Sequence, residues 1–289
     1  MKIFLQMRDL LDRISNQYHT LSSSQRKVAE YLFHNLNEAI LLSCTQIAKK
    51  ADVSEATVTR FVTNLGFSGL AEFKREIGQK LLEDFSTTRR LAESAESFEG
   101  NATIFREITE GDIENIRALT QEISDESFEE AVEKLRSARS IFVLGLRSSY
   151  ALAFFLAFNL RFFLRSVKLI MPGIGDIPEQ IIGAGRDDVL VAISFKRYTR
   201  QVHEITEKIR KKGTYIIAIT NSGLSPIAQA ADMALIAETK IPTYIDSFTA
   251  PMSLINALIT AIAIKEKEKA LSALTELEAE FEEFATYIR

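Results

Sequence analysis

The stretch Cys44–Gly69, CTQIAKKADVSEATVTRFVTNLGFSG, decides the fold of the amino-terminal part of the chain, because its apolar residues have the spacing of two short helices joined by a tight turn. Ile47 and Ala48 form the inward side of the first helix, and Ser54 is a typical N-cap for the second. The second helix carries apolar residues at helical spacing: Val58, Phe61, Val62 and Leu65. Gly66 follows and is expected to end this helix. The pattern predicts a helix-turn-helix.

Polar residues on the outer side of this motif form a candidate DNA-binding surface. Short hydroxyl side chains followed by an arginine let a helix enter the major groove and contact both phosphates and base edges. The candidate DNA-binding residues are Thr45, Ser54, Glu55, Thr57, Thr59, Arg60, Asn64 and Lys74. A small helical bundle with a merely polar surface is the alternative, because helix-turn-helix patterns also arise by chance.

Two segments of the amino-terminal part, LSSSQRKVAEYL at 21–32 and ADVSEATVTRFVTNLGFSGLAEFK at 51–74, resemble the amino-terminal domain of the RpiR/MurR transcriptional regulators. The resemblance covers roughly residues 5–82 and implies binding to a double-stranded DNA operator. Periodic apolar residues predict further helices at Met7–Tyr18, Gln25–Asn35 and Phe67–Leu82. We therefore expect an all-α domain of about five helices.

The charge of the chain is unevenly distributed. The whole sequence of 289 residues has a net charge of −4, which alone argues against nucleic-acid binding. However, Cys44–Lys80 has six Lys and Arg against four acids, a net of +2, whereas Leu81–Ser140 has seven against fifteen, a net of −8. A basic head and an acidic middle fit a protein that touches DNA at one end.

The single cysteine, Cys44, excludes an intrachain disulfide and suits a reducing compartment. The most apolar run, Tyr150–Leu164, is interrupted by Asn159 and Arg161 and is too short to span a bilayer. We therefore expect a cytoplasmic protein with no membrane partner, and we expect no cofactor, no metal site and no catalytic residue.

The carboxyl-terminal part alternates short apolar runs with helical periodicity, which is typical of an α/β doubly wound parallel sheet. The predicted strands are Ile141–Leu144, Ser166–Met171, Asp188–Ser194, Thr214–Thr220 and Met233–Ala237. The predicted helices between them are Ser149–Leu164, Ile177–Ala184, Gln201–Lys211 and Ser225–Ala230. The resulting division is a helix-turn-helix domain at 1–82, an acidic, partly helical connector at 83–126, and a five-stranded domain at 127–289.

Two strand ends carry polar residues suited to an anionic ligand: GLRSS at 145–149 and SFKRYT at 194–199. Hydroxyl groups and free backbone amides at the start of a helix bind phosphate, and ligands of such sheets bind outside the carboxyl ends of the strands. The alternative is that Ser148 and Thr199 merely cap the helices that follow.

This part also resembles the SIS domain, the phosphosugar-binding fold of the same regulators, over roughly Phe128–Glu266. The second loop of SIS domains usually reads Ser-x-Ser-Gly-x-Thr; here Lys196 replaces the middle serine and Arg197 replaces the glycine. The candidate effector-binding residues, which include these departures and the inserted Arg147, are Gly145, Arg147, Ser148, Ser149, Ser194, Lys196, Arg197, Thr199 and Ser247. Either the basic side chains grip an anionic sugar, or they fill the pocket or pair with an acid elsewhere.

The sequence thus predicts a transcriptional regulator controlled by a phosphorylated or acidic sugar. A sugar-phosphate isomerase is the alternative, although His203 is the single imidazole near the site and no acid–base pair stands out. The third alternative is a DNA-binding protein whose second domain only dimerises. We expect a homodimer or homotetramer on an inverted-repeat operator, and the amphipathic helix Leu271–Ile288 either covers its own domain or forms the seam between subunits.

Overall fold

The computed structural model describes residues 21–39, 42–76, 87–98, 100–164, 166–173, 176–223 and 225–287. It divides into two compact units, Met1–Phe98 and Glu99–Arg289. The segment 83–126, expected as one connector, is shared between the two units. The predicted helix Met7–Tyr18 lies outside the described residues, as does the end of the helix predicted at Phe67–Leu82.

The first unit is helical throughout its described part. Its helices are α1 (Ser23–Ala39, kinked at Asn35), α2 (Cys44–Lys50), α3 (Glu55–Asn64), helical residues 70–76, and α4 (Thr87–Ser97). One apolar core joins α1, α2, α3 and residues 70–76, with Leu32, Ile47 and Phe61 from three different helices fully buried. Phe73 of the segment 70–76 closes this core and meets Phe67 edge to face, with ring centroids 5.2 Å apart.

The second unit is a parallel sheet with helices on both faces. Its elements are α5 (Asn101–Glu122), α6 (Asp125–Ser137), β1 (Ile141–Gly145), α7 (Tyr150–Leu160), β2 (Val167–Leu169), α8 (Ile177–Gln180), β3 (Val189–Ile193), α9 (Arg200–Arg210), β4 (Tyr215–Thr220), α10 (Pro226–Gln229), β5 (Met233–Ile236), α11 (Thr249–Lys265) and α12 (Lys267–Glu283). A single 3-10 turn, Arg147–Ser149, joins β1 to α7.

The strands lie in the order β2-β1-β3-β4-β5 and all neighbours are parallel. The predicted five-stranded, doubly wound sheet is therefore confirmed. Successive residues of β1 alternate between two cores: Ile141 and Val143 face α6, α7 and α11, whereas Phe142 and Leu144 face α9 and α10. Both faces are covered, which explains why these strands read as continuous apolar runs.

Helix α5 packs on α11 and belongs to the second unit. The sequence predicts an acidic connector here. However, hydrogen bonds from α5 to residues more than a hundred positions later in the chain fix the helix to this unit. Helix α12 instead buries little: Ala270 is buried, while Leu271 and Leu274 are exposed. Within the described residues, no helix has the length and apolar character needed to cross a membrane.

Candidate functional site

The turn of the helix-turn-helix is set by the way its two helices end. At the end of α2, the N–H of Val53 donates to the carbonyl of Ala48 at 2.9 Å, and Asp52 takes a left-handed φ of 54°. At the end of α3, the N–H of Phe67 donates to the carbonyl of Val62 at 3.2 Å, and Gly66 has a φ of 95°. Both are Schellman endings, which require a left-handed residue. Gly66 therefore ends α3 as the sequence indicates.

The start of each motif helix is capped by a serine. Ser43 forms a capping box with Gln46, whose side chain accepts from the Ser43 N–H at 2.7 Å. Ser54 accepts from the N–H of Thr57 at 3.3 Å, so the predicted N-cap is confirmed. The Thr45 hydroxyl donates to Glu55 at 2.7 Å, which ties the first turn of α3 to α2. These contacts fix the angle between the two helices.

Most predicted DNA-binding side chains lie on the open surface of this motif. The exposed ones are Thr45, Ser54, Glu55, Thr59, Arg60 and Asn64. Arg60 makes no hydrogen bond or ion pair with any residue that the structure describes, so its guanidinium remains available. Thr57 is half-buried and its hydroxyl meets that of Ser54 at 2.9 Å.

Lys74 does not share this surface. Its ammonium donates to the backbone carbonyl of Leu42, and burial lowers the pKa of the lysine. The side chain therefore closes the end of the loop before α2. No pattern in the sequence indicates a partner 32 residues earlier in the chain.

At the first strand end, Gly145 allows a close approach of the following helix. A Cβ at this position would lie 2.6 Å from the carbonyl oxygen of Ser149 and 2.9 Å from the Cβ of Ala153. Arg147 then takes a left-handed φ of 57° and is exposed together with Ser148, whereas Ser149 is buried. The turn thus presents Arg147 rather than Ser149 at the carboxyl end of β1.

At the second strand end, the buried Ser194 holds the loop together, since its hydroxyl accepts from the N–H of Thr199 at 3.4 Å. Thr199 occupies the N-cap position of α9, but its hydroxyl makes no capping hydrogen bond. Lys196 and Arg197 are exposed, and Arg197 has a left-handed φ of 68°. The arginine therefore holds the backbone conformation for which glycine is the usual residue.

The two strand ends meet in one cavity of about 510 Å³. It is lined by Leu146, Arg147, Tyr150, Met171, Pro172, Thr199 and Gln201. The cavity lies at the carboxyl ends of β1, β2 and β3, where the order of strands reverses. It joins Arg147 and Thr199 from two separate predicted loops. Tyr150 and Gln201 were not predicted, because residues inside a helix pattern carry no local sign of a ligand.

Beside this cavity, Tyr198 links the second loop to the end of β4. Its hydroxyl donates to Asn221 at 3.3 Å, and burial raises the pKa of the tyrosine to about 12. The hydroxyl of Thr220, next to Asn221, is buried and without a hydrogen-bond partner among the described residues. Tyr198 thus fixes the second loop to the residue that follows β4.

Glu238, an acidic residue that follows β5, has a shifted pKa. Burial raises the pKa of Glu238, and the nearby Glu122 raises it further, while Lys240 and Lys196 oppose the shift. The effect of Lys196 on the pKa of Glu238 is smaller than that of Lys240. The sequence signal for this effect is absent, since 42 positions separate Lys196 and Glu238 in the chain.

Ser247 does not line the cavity. Its hydroxyl donates to Asp112, and its N–H donates to the carbonyl of Thr239 at 3.0 Å. His203 is half-buried rather than on the surface, and its Nδ1 atom lacks a hydrogen-bond partner among the described residues. Neither residue joins Arg147 and Thr199.

Two family profiles match separate parts of the chain. The helix-turn-helix domain of the rpiR family matches residues 8–84, and the SIS domain matches residues 134–261. Among curated proteins, the HTH-type transcriptional regulator HexR of Pseudomonas aeruginosa is 28% identical over 269 residues, covering 90% of each chain. HexR of Escherichia coli is 28% identical over 268 residues, again covering 90% of each.

Solved structures agree with this assignment. The sugar isomerase domain of an RpiR transcription factor from Sphaerobacter thermophilus is 27% identical, with a TM-score of 0.57, over 60% of this chain and 96% of that one. The Vibrio vulnificus NanR protein complexed with ManNAc-6P is 18% identical, with a TM-score of 0.59, over 95% of this chain and 98% of that one, and shows likeness of fold. The chain, a helix-turn-helix unit followed by a SIS domain, belongs to the rpiR-type family of transcriptional regulators.

Proposed function

We propose that this chain binds an operator through α3 and that a phosphorylated or acidic sugar, held at the carboxyl ends of β1 and β3, controls its affinity for DNA. The observation that carries the effector part is the cavity shared by Arg147 and Thr199. Thr199 supports this role because its hydroxyl makes no capping bond and so remains available to a ligand. The regulator does not need to convert the sugar.

The charge around the cavity supports an anionic ligand. Arg147, Lys196 and Arg197 are exposed at neighbouring strand ends, and a guanidinium binds a phosphate or carboxylate through paired N–H groups. A phosphorylated sugar is also what the NanR relative holds.

We also propose a homodimer or homotetramer on an inverted-repeat operator. A single small DNA-binding domain binds DNA weakly. Two linked domains bind more tightly, because binding of the first raises the effective concentration of the second at its half-site. The exposed apolar residues of α12, including Leu271 and Leu274, support a seam between two copies.

The test uses operator DNA obtained by in vitro selection and a panel of hexose 6-phosphates and sugar acids, including N-acetylmannosamine 6-phosphate. Ser194→Ala with Thr199→Val should abolish the effect of the active compound on DNA affinity and leave ligand-free DNA binding nearly intact. The matched control is Ser137→Ala with Thr275→Val, whose hydroxyls bond to carbonyls of their own helices.

A normal response of the Ser194 and Thr199 double variant would place the effector elsewhere. Following each compound by NMR during the titration separates regulation from catalysis. Steady conversion of one sugar phosphate into another would favour the isomerase instead.

A further inference from the structure

Helix α5 is fastened to the segment between β5 and α11 by one carboxylate. Asp112 accepts a hydrogen bond from the Ser247 hydroxyl at one oxygen, and from the Thr249 hydroxyl at 2.8 Å at the other. Both hydroxyl groups stand at the start of α11, and the N–H of Thr249 donates back to Ser247 at 3.2 Å. Hydrogen bonds to an ionised acceptor are stronger than neutral ones.

The same face of α5 makes two further contacts with this segment. The buried Asn115 donates its Nδ2 to the carbonyl of Lys240 at 3.0 Å. Gly111 lies directly against the segment, since a Cβ there would stand 3.2 Å from the Cγ2 of Ile241. We call residues 238–249 the bridging segment.

The bridging segment also reaches the proposed effector loop. Phe248 of the segment packs against Phe195 of that loop, with ring centroids 5.4 Å apart. The bond from the Ser247 N–H to the Thr239 carbonyl closes the segment on itself at 3.0 Å. The bridging segment therefore contacts the effector loop at Phe248 and is bonded to α5 by the residues on either side of it.

We propose that Asp112 is a positioning residue that transmits effector binding from the bridging segment to α5. The inference rests on the proposed function, because it assigns the route by which the same site controls DNA. An effector that displaces the loop 194–199 moves Phe195 against Phe248, and the bridging segment then shifts its hold on α5. The route ends at α5, the first helix of the second unit.

The first experiment needs no ligand and uses hydrogen exchange by mass spectrometry on the full chain. Asp112→Ala should speed the exchange of amides in 240–249 and α5 by about ten-fold, since it removes two hydrogen bonds to a charged group. The control is Glu114→Ala, which removes the same charge from an exposed position of the same helix and should change exchange by less than about two-fold. Equal behaviour of the two variants would overturn the proposal.

The second experiment measures DNA affinity with N-acetylmannosamine 6-phosphate and 6-phosphogluconate as probes. In the wild type and Glu114→Ala, an active probe should change DNA affinity by about five-fold or more, whereas Asp112→Ala should lose this change yet still bind the probe. A full response in Asp112→Ala refutes the transmission route and leaves the proposed function standing. A wild type that binds neither probe counts against the proposed function instead, and the exchange experiment then decides on Asp112 by itself.

Discussion

Two arginines of the second unit hold backbone conformations that usually belong to glycine. Arg147 and Arg197 have φ values of 57° and 68°, and each follows a strand end that borders the proposed effector site. A left-handed conformation costs a residue with a Cβ roughly 1–2 kcal/mol. Strain of this kind persists where the surroundings over-determine it, often at functional sites. We infer that the chain retains these arginines for their charge.

Replacing Arg197 tests this inference. Arg197→Gly and Arg197→Ala both remove the charge, but only glycine relieves the strained φ. We expect the glycine variant to unfold with a free energy about 1 kcal/mol higher than the alanine variant, measured by urea denaturation. Both variants should bind the anionic effector more weakly than the wild type. A more stable alanine variant would contradict the strain assignment.

Arg60 is the exposed basic residue of α3, and we expect it to contact DNA. Arg60→Ala should cost about 1–3 kcal/mol of operator binding if the guanidinium reads a base. If it contacts only phosphate, the slope of log K against log salt should flatten by about one unit. Fluorescence anisotropy over a salt series separates the two outcomes.

The control for Arg60 is Arg75→Ala. This change removes the same charge from the segment 70–76, where Arg75 lies 3.7 Å from Glu72. Unchanged operator affinity in Arg60→Ala would remove this residue from the interface.

At the scale of helices and strands, the sequence pattern predicted those elements that depend on residues close together in the chain. Continuous apolar runs placed β1, β3, β4 and β5 within two residues of their observed ends, because strands buried on both faces need apolar residues throughout. The prediction for β2 was too long, since only Val167–Leu169 pair with β1 at this edge of the sheet. The helical spacing of α3 and the glycine that ends it were equally visible.

Polar contacts between distant elements were not predictable in this way. Lys74 binds the carbonyl of Leu42, and Asp112 binds hydroxyls at the start of α11. A charged residue on a predicted helix reads as solvent-exposed unless its partner is known, and no periodicity identifies a partner far along the chain. For this reason the acidic composition of 83–126 predicts a connector, although α5 is part of the second unit.

The bridging segment leads to a pH prediction for ligand binding. Burial raises the pKa of Glu238, so this carboxyl takes up a proton as the pH falls through that raised value. Lys196 then loses its negative neighbour, and an anionic sugar should bind more tightly at about pH 5 than at about pH 8. Calorimetry with a sugar acid, whose carboxylate stays ionised over this range, measures the effect.

Glu238→Gln should bind the sugar acid tightly at both pH values. The control Asp187→Asn changes an exposed carboxylate just before β3, at the opposite end of the strand, and should keep the wild-type pH dependence. The sign is the same for stability: a carboxyl with a raised folded pKa destabilises the fold when ionised, and this cost disappears as the pH falls. A wild-type affinity that is flat with pH would exclude Glu238 from the site.

For the whole molecule, α12 is the element on which assembly can be tested. Leu274, Leu277, Phe281 and Phe284 follow a spacing of three and four residues, which is the pattern of a coiled-coil seam. Leu274→Asp should reduce the mass measured by light scattering to that of a smaller assembly. Ala279→Asp places the same charge on an exposed position outside this seam and should leave the mass unchanged.

Each unit has its own apolar core: one spans α1, α2, α3 and residues 70–76, and the others lie on the two faces of the sheet. Residues that share an apolar core unfold together, and the two units do not share one. Heating should therefore give two separate heat-absorption peaks in calorimetry. An effector bound at the sheet should raise the temperature of one peak, and operator DNA that of the other. A single peak that both ligands shift together would mean that the two units unfold as one. Two separate peaks would mean that each unit has its own melting temperature.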